Sequence, residues 1–313
     1  MNAVRDADPL SAWLQHMRSG EWELAWRITD SQLPRRAREP CWHWPRHLQY
    51  LWTGQSLRGR RVLVHCYHGL GDTLQFIRYM PLLKRVAGEV TVWVQPALMP
   101  LLEGIDGVDR FVPLHDGAPD VDRDVDVEIM ELAHVFRTTP ETVPGRTAYL
   151  HVEPMRLGES GRPRVGLVWR AGDWAPERSI PLAQIERIAD VAGISLHILQ
   201  PFAAEAGWRG QFGIWHGEFD LPGYARIVRA MDLMITIDSM PAHMAGALGV
   251  PVWTLLGAPA DWRWMDGRDD TPWYPRMRLF RQERSGDWAG VIGRVARELA
   301  HWADTRVSAG PGG

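Results

Sequence analysis

Between Arg61 and Trp302, short apolar runs alternate with stretches of helical spacing, and that alternation admits little besides an α/β body with parallel sheets. The run at 62–66 leads into the turn Tyr67-His68-Gly69-Leu70-Gly71-Asp72, and a helix starting near Thr73 carries Leu74, Ile77 and Leu83. A strand at 90–94, a short helix at 96–102, a strand at 110–114 and strand-like sequence at 125–130 extend the series. Glu153 to Pro163 then reads as polar and turn-rich, as a boundary between compact units does. Beyond it strands are expected at 165–169, 195–199, 212–215, 233–237, 252–256 and 277–280. Helices are expected at 182–191, 223–231, 241–248 and 288–302. The expected organisation is a helical arm over 1–55, Rossmann-like domains over 56–157 and 158–305, and a tail over 306–313.

In the arm, Leu10, Trp13, Leu14 and Met17 share a helical face, Gly20 interrupts, and Trp22, Ala25, Trp26 and Thr29 resume the stripe up to Pro34. The spacing predicts a short N-terminal helical hairpin, either a plain extension or the equivalent of one worn tetratricopeptide-type unit, which as a single copy cannot stack into a solenoid. The formal charge, 35 − 38 = −3 with no long block of either sign, argues against a nucleic-acid groove or an anionic membrane surface. It leaves room for a small anionic ligand held by local arginines. Cys41 and Cys66 read as free thiols of a reducing compartment, so the expected location is cytoplasmic. No stretch approaches the ~20 apolar residues of a transmembrane segment, and the start lacks the order of a signal peptide.

In open parallel sheets ligands lie beyond the carboxyl ends of the strands, and three loops there carry polar residues that packing alone would not select. In the first, Gly69 and Gly71 allow backbone to approach a ligand, while Asp72 serves either as a cap for the helix or as a group acting on a ligand. In the second, a strand ends at Asp238, Ser239 follows, Pro241 suits the first turn of the next helix, and His243 lies in that turn. Those residues either cradle a pyrophosphate or merely cap and pack. The third places Arg170 and Arg178 after the first strand of the second series, where each is a phosphate ligand or a solvated side chain. Asp122-Arg123-Asp124 imitates a metal-binding pair of aspartates, but Asp120, Asp122, Asp124 and Asp126 alternate with valines, which predicts a strand with one wet face. The histidines show no paired ligand spacing, so no metal site is expected.

The segments HGLGDTLQFIRYMPLL, GLVWRAGDWAPERSIPL and DLMITIDSMPAHMAGALGVPVWTLL, followed by DWRWMDGRDDTPWYPRMRLFRQ, together resemble the heptosyltransferase-like glycosyltransferases of family 9. The tryptophan-rich tracts around Trp262 and Trp273 are closer to relatives fused to tetratricopeptide repeats. The resemblance implies a GT-B fold, two Rossmann-like domains facing across a cleft, with the acceptor mainly on the first, a nucleotide-sugar donor on the second, and a last helix returning to the first. It implies an inverting, metal-independent transfer with no cofactor, Asp72 as general base and His68, Gly69 and Gly71 in the loop near the acceptor. Arg170, Arg178, Asp238, Ser239 and His243 would hold the donor, with Pro241 removing one backbone N–H from the cradle. Trp264 would either stack on the donor base or pack in the core. The acceptor class stays open among glycan, protein and small molecule. The competing reading is a non-catalytic nucleotide-sugar-binding or protein-interaction module on the same fold.

Overall fold

The computed structural model describes residues 8–36, 38, 51–145, 148–172 and 175–308, so part of the expected arm and tail, Cys41, and Asp173 and Trp174 lie outside the described residues. Two compact units emerge, Met1–Arg146 with Asp261–Gly267, and Thr147–Ala260 with Arg268–Gly313. The turn-rich tract 153–163 lies within the second.

The first unit opens with helices α1 (Pro9–Ser19) and α2 (Trp22–Arg36). Asp8 caps α1 through its side chain, and Gly20 ends it in the left-handed region at φ 84°. A Cβ on Gly20 would also meet the Met265 terminal methyl, which can swing aside, so it is the positive φ that requires glycine here. Helix α2 runs two residues past Pro34, because a missing N–H in the last turn forfeits only one hydrogen bond. The hairpin fastens to the rest of the unit through Arg137, which pairs with Glu23 (2.6 Å) and Asp30 (2.7 Å), and through His134, which bonds Asp30 at 2.7 Å.

Strands β1 (Arg61–His65), β2 (Glu89–Val94), β3 (Arg110–Pro113) and β4 (Val125–Glu128) form an all-parallel sheet in the order β3-β2-β1-β4. Four short helices connect or follow them: α3 (Leu70–Phe76), α4 (Met80–Lys84), α5 (Met99–Leu102) and α6 (Leu132–Val135). The continuous helix expected after Thr73 is instead α3 and α4 with a 3-10 turn between them. The strand with a wet face expected across 120–126 is corrected as well. Strand β4 begins only at Val125, and Asp126 is 1% exposed, bonded to His65 Nε2 (2.8 Å) and Arg123 Nε (2.6 Å). Asp124 pairs with Arg61 at 2.9 Å, which holds its carboxyl down at about 2. The period-two charge here divides: Asp120 and Asp122 are exposed, while Asp124 is pinned by Arg61 and Asp126 is buried.

The second unit is a six-stranded parallel sheet in the order β10-β9-β8-β5-β6-β7. Its strands are β5 (Arg164–Leu167), β6 (Ser195–Ile198), β7 (Ile214–Trp215), β8 (Leu233–Ile237), β9 (Val252–Leu256) and β10 (Met277–Arg281). Every residue of β8 and β9 is buried, as central parallel strands covered on both faces require. The helices are α7 (Leu182–Ala189), α8 (Leu221–Arg229), α9 (Met240–Ala247) and α10 (Trp288–Ser308). Ile185 and Ile188 of α7 share one buried cluster with Val291, Val295 and Leu299 of α10, so the last helix contributes to the core of this unit.

Candidate functional site

Where strand order reverses in a parallel sheet, the loops leaving the two adjacent strands run to opposite faces and open a crevice. That point lies between β1 and β4 in the first unit and between β5 and β8 in the second. His68, Gly69, Gly71 and Asp72 lie at the first of these places, and Arg178, Asp238 and Ser239 at the second.

At the first, the loop after β1 is built on a hydrogen-bonded stem. Asp126 accepts from His65, and the Tyr67 hydroxyl donates to the other His65 ring nitrogen. Gln95, just past β2, donates to the His68 carbonyl (2.8 Å) and accepts from the Thr73 hydroxyl (2.9 Å). The helix begins at Leu70, three residues before the expected start, with Gly69 as its cap. Asp72 is therefore not an N-cap. It sits at the third helical position and reaches back to accept the Gly69 N–H at 3.0 Å. Its other oxygen accepts from Arg263, whose guanidinium also bonds Asp261 at 2.9 Å. His68 pairs with Glu128 at the end of β4, and that hydrogen bond raises the His68 pKa above its ordinary value despite partial burial. Glu128, Asp261 and Arg263 are the polar partners that sequence reasoning missed. The one signal is the arginine inside Asp261-Trp262-Arg263-Trp264, a tract whose tryptophans dominate its sequence pattern. Trp264 is fully buried in this unit, with no face open to a ligand, so packing is the use the structure shows.

At the second, Arg178, in the turn after β5, reaches the end of β8. One guanidinium nitrogen lies 3.4 Å from the Asp238 carboxylate and 3.4 Å from its carbonyl oxygen. Ser239 caps α9 from the backbone, and its hydroxyl donates to the Ile237 carbonyl at 3.4 Å. Pro241 falls in the first turn of α9 as its fixed φ suggests. His243 is buried, and its Nδ1 lies 3.0 Å from the Tyr274 hydroxyl. Gly246, one turn on, leaves room for that tyrosine, whose ring a Cβ would strike. Arg170 takes a different direction: its guanidinium donates to the Glu205 carbonyl at 2.7 Å, and its backbone N–H to Gln200. Arg178, Asp238 and Ser239 thus converge at one helix start, while His243 faces inward and Arg170 serves the loop after β6.

Among the described residues no group of three or more histidine, cysteine or acidic side chains is placed to hold a metal ion, and no helix is long and apolar enough to cross a membrane. The Cys66 thiol is buried, and burial pushes its pKa up to about 12, so it carries no nucleophile.

Two all-parallel Rossmann-like units in one chain are the architecture of the GT-B fold, which the solved structures below share. Within it, residues 204–286 match the model of glycosyltransferase family 9 (heptosyltransferase), a span holding β7 to β10 and the Asp238–His243 segment. Protein FlbA of Caulobacter vibrioides is 29% identical over 289 residues, covering 80% of this chain and 48% of FlbA, so the chain spans about half the length of this curated relative. The family 9 glycosyl transferase of Veillonella parvula superposes with a TM-score of 0.59 at 14% identity, covering 81% of this chain and 98% of that one. The Escherichia coli ADP-heptose lipopolysaccharide heptosyltransferase II gives 0.52 at 15% identity, with 79% and 99% covered. The heptosyltransferase TibC, from enterotoxigenic E. coli and solved in complex with ADP-D-beta-D-heptose, gives 0.52 at 12% identity, with 81% and 78% covered.

Proposed function

We propose that this chain transfers a sugar from a nucleoside-diphosphate sugar to an acceptor hydroxyl, with inversion at the anomeric carbon and without a metal. The observation that carries the reading is the meeting of Arg178, Asp238 and the start of α9 at the order reversal of the second sheet. A diphosphate needs a permanent cation with forked donors and the positive end of a helix, and both are supplied there. Since Pro241 offers no N–H, Arg178 and the Ser239 hydroxyl bear more of that task. The first unit supplies the base. Asp72 accepts one hydrogen bond on each oxygen, and a carboxylate has about four lone-pair positions, so each oxygen keeps one for a hydroxyl proton. The hydroxyl oxygen bonds to the anomeric carbon as the carbon–phosphate-oxygen bond breaks. Asp72 takes the proton, and Arg178 offsets the charge growing on the departing diphosphate.

ADP-D-beta-D-heptose, held by TibC, is the first donor to test, with other nucleotide sugars beside it. A donor should raise the melting temperature and release its nucleoside diphosphate only when an acceptor is present. Asp72→Asn should cut release by about 10²–10⁴-fold while keeping donor affinity. Undiminished turnover in that variant removes Asp72 from the role. Tight donor binding with no turnover against any acceptor favours a binding module.

A further inference from the structure

We infer that Asp261–Gly267 is a strap that positions the proposed base, with Arg263 as the residue that acts on it. The inference rests on the transfer reading above and concerns how Asp72 is held for that reaction. In the sequence this tract lies between β9 and β10, two strands of the second sheet, yet it belongs to the first unit. The connection from β9 to β10 carries no α-helix to cover its own sheet, unlike those from β5 to β6, β7 to β8 and β8 to β9. Its regular piece is a 3-10 turn, Trp262–Trp264, and that turn lies in the first unit.

The strap is fastened at several points. Trp264 is fully buried, Trp262 meets Trp13 of α1 edge-on (5.4 Å, 75°), and the Asp266 N–H donates to the Arg18 carbonyl at 2.9 Å. Between these anchors Met265 takes φ 54° and ψ 173°, at the border of a region reserved in practice for glycine. Backbone strain of this kind persists where neighbouring contacts over-determine the chain, and it gathers at sites with a task beyond connection.

What these anchors present is the Arg263 guanidinium. One Asp261 carboxylate oxygen accepts the Arg263 backbone N–H at 3.0 Å, which caps the turn, and also accepts from Arg263 Nη1 at 2.9 Å. The cation lies 5.1 Å from the Trp262 ring centre and 5.9 Å from that of Phe76, one turn past Asp72 on α3. With that side of the fork fixed, Nη2 donates to Asp72. The Gly69 N–H alone would leave the Asp72 carboxylate able to turn about its last bond. Gly69 on one oxygen and Arg263 on the other fix its plane, and with it the directions of the remaining lone pairs. Arginine suits the task because its guanidinium stays charged and keeps its protons. It orients the base without competing for the proton that the base must take.

The test compares the full wild-type chain with Arg263→Ala, Arg263→Lys and Asp261→Asn. Activity is release of nucleoside diphosphate from ADP-D-beta-D-heptose and other nucleotide sugars, and hydrogen exchange at the Gly69 N–H is a readout that needs no donor. Arg263→Ala should lower kcat by about 10–100-fold, the scale of a misplaced reacting group, at an unchanged KM for donor. Guanidinium ion added below denaturing concentration should restore part of that loss, which it could not do for a defect of folding alone. Arg263→Lys, which keeps a cation but not the fork, should fall between the two. Asp261→Asn still caps the turn through its side-chain oxygen but loosens the grip on the guanidinium. It should lower kcat severalfold at a nearly unchanged melting temperature, which keeps the inference testable if Arg263→Ala fails to fold. Exchange at Gly69 should quicken in the same order as kcat falls. An unchanged kcat, a kcat that rises because Arg263 had masked the base, a loss seen only in KM for donor, or a loss that guanidinium leaves untouched overturns the inference. A wild type that turns over no nucleotide sugar sinks the transfer reading instead. Exchange at Gly69 then decides the strap by itself: quickening in the variants means that Arg263 holds Asp72, and no change means that it does not.

Discussion

The two order reversals solve the same problem of exposed polar loops in opposite ways. In the first unit the charges are tied to one another: Arg263 bridges Asp72 and Asp261, and His68 joins Glu128. In the second, the Arg178 guanidinium touches Asp238 at 3.4 Å, beyond the length of a strong charge-assisted bond, and its side chain is 26% exposed. Arg263 would have to break short contacts to leave Asp72, whereas the contact between Arg178 and Asp238 is a long one. On the transfer reading proposed above, this difference assigns Arg178 to the ligand and Arg263 to the architecture.

Replacing the two arginines separately should expose that division. Arg178→Ala is expected to weaken nucleoside-diphosphate binding by about 10–100-fold, the worth of one or two hydrogen bonds to a charged group, with little change in melting temperature. Calorimetric titration with ADP reads it. If affinity holds and stability falls instead, the contrast between the two units is wrong.

Arg263→Ala should do the reverse. Its side chain is 11% exposed, and removal leaves Asp72 and Asp261 without their shared cation, a loss on the order of 1–3 kcal/mol read by denaturant unfolding. Gly20→Ala examines the same 261–267 tract from the hairpin side. A non-glycine residue at this φ costs about 1–2 kcal/mol, and Met265 must also shift. Unchanged stability in both variants would mean that the tract is not held as described.

What the sequence made legible follows from what repeats. Parallel central strands announce themselves as unbroken apolar runs, and β8 and β9 are buried along their whole length. Pro241 marks a helix start because its φ is fixed, and the αα-hairpin shows in its apolar spacing and its glycine. Pairing between distant segments has no period. Arg263 reaches Asp72 across 191 positions, and no local pattern signals it. The same blindness turned Asp126, which bonds a buried histidine, into a solvated strand residue. Arg170 and Arg178 lie on one loop in the sequence, and the fold separates the one that meets Asp238 from the one that braces Glu205.

Acidity offers the smallest and most specific test, because a histidine in each unit is shifted in an opposite sense. Hydrogen bonding to Glu128 raises His68 above 6.5, so its contribution is complete below that value and is lost as pH rises through the higher folded one. Desolvation, with the neighbouring His216 adding to it, lowers His197 to about 4. Below 6.5 the unfolded chain takes a proton that folded His197 refuses until about 4, so stability declines as pH falls across that window. Lowering pH from about 7.5 to 5, across the ordinary histidine value, should raise amide protection around the loop after β1 and reduce it around β6 and β7. His68→Gln should flatten only the first response, and His197→Gln should weaken only the second, the remainder coming from His216, whose burial lowers it as well. Because the His68 side chain is 36% exposed, solvent screening keeps its response the weaker of the two. Protection factors moving in the same direction in both units would show that neither histidine governs its surroundings.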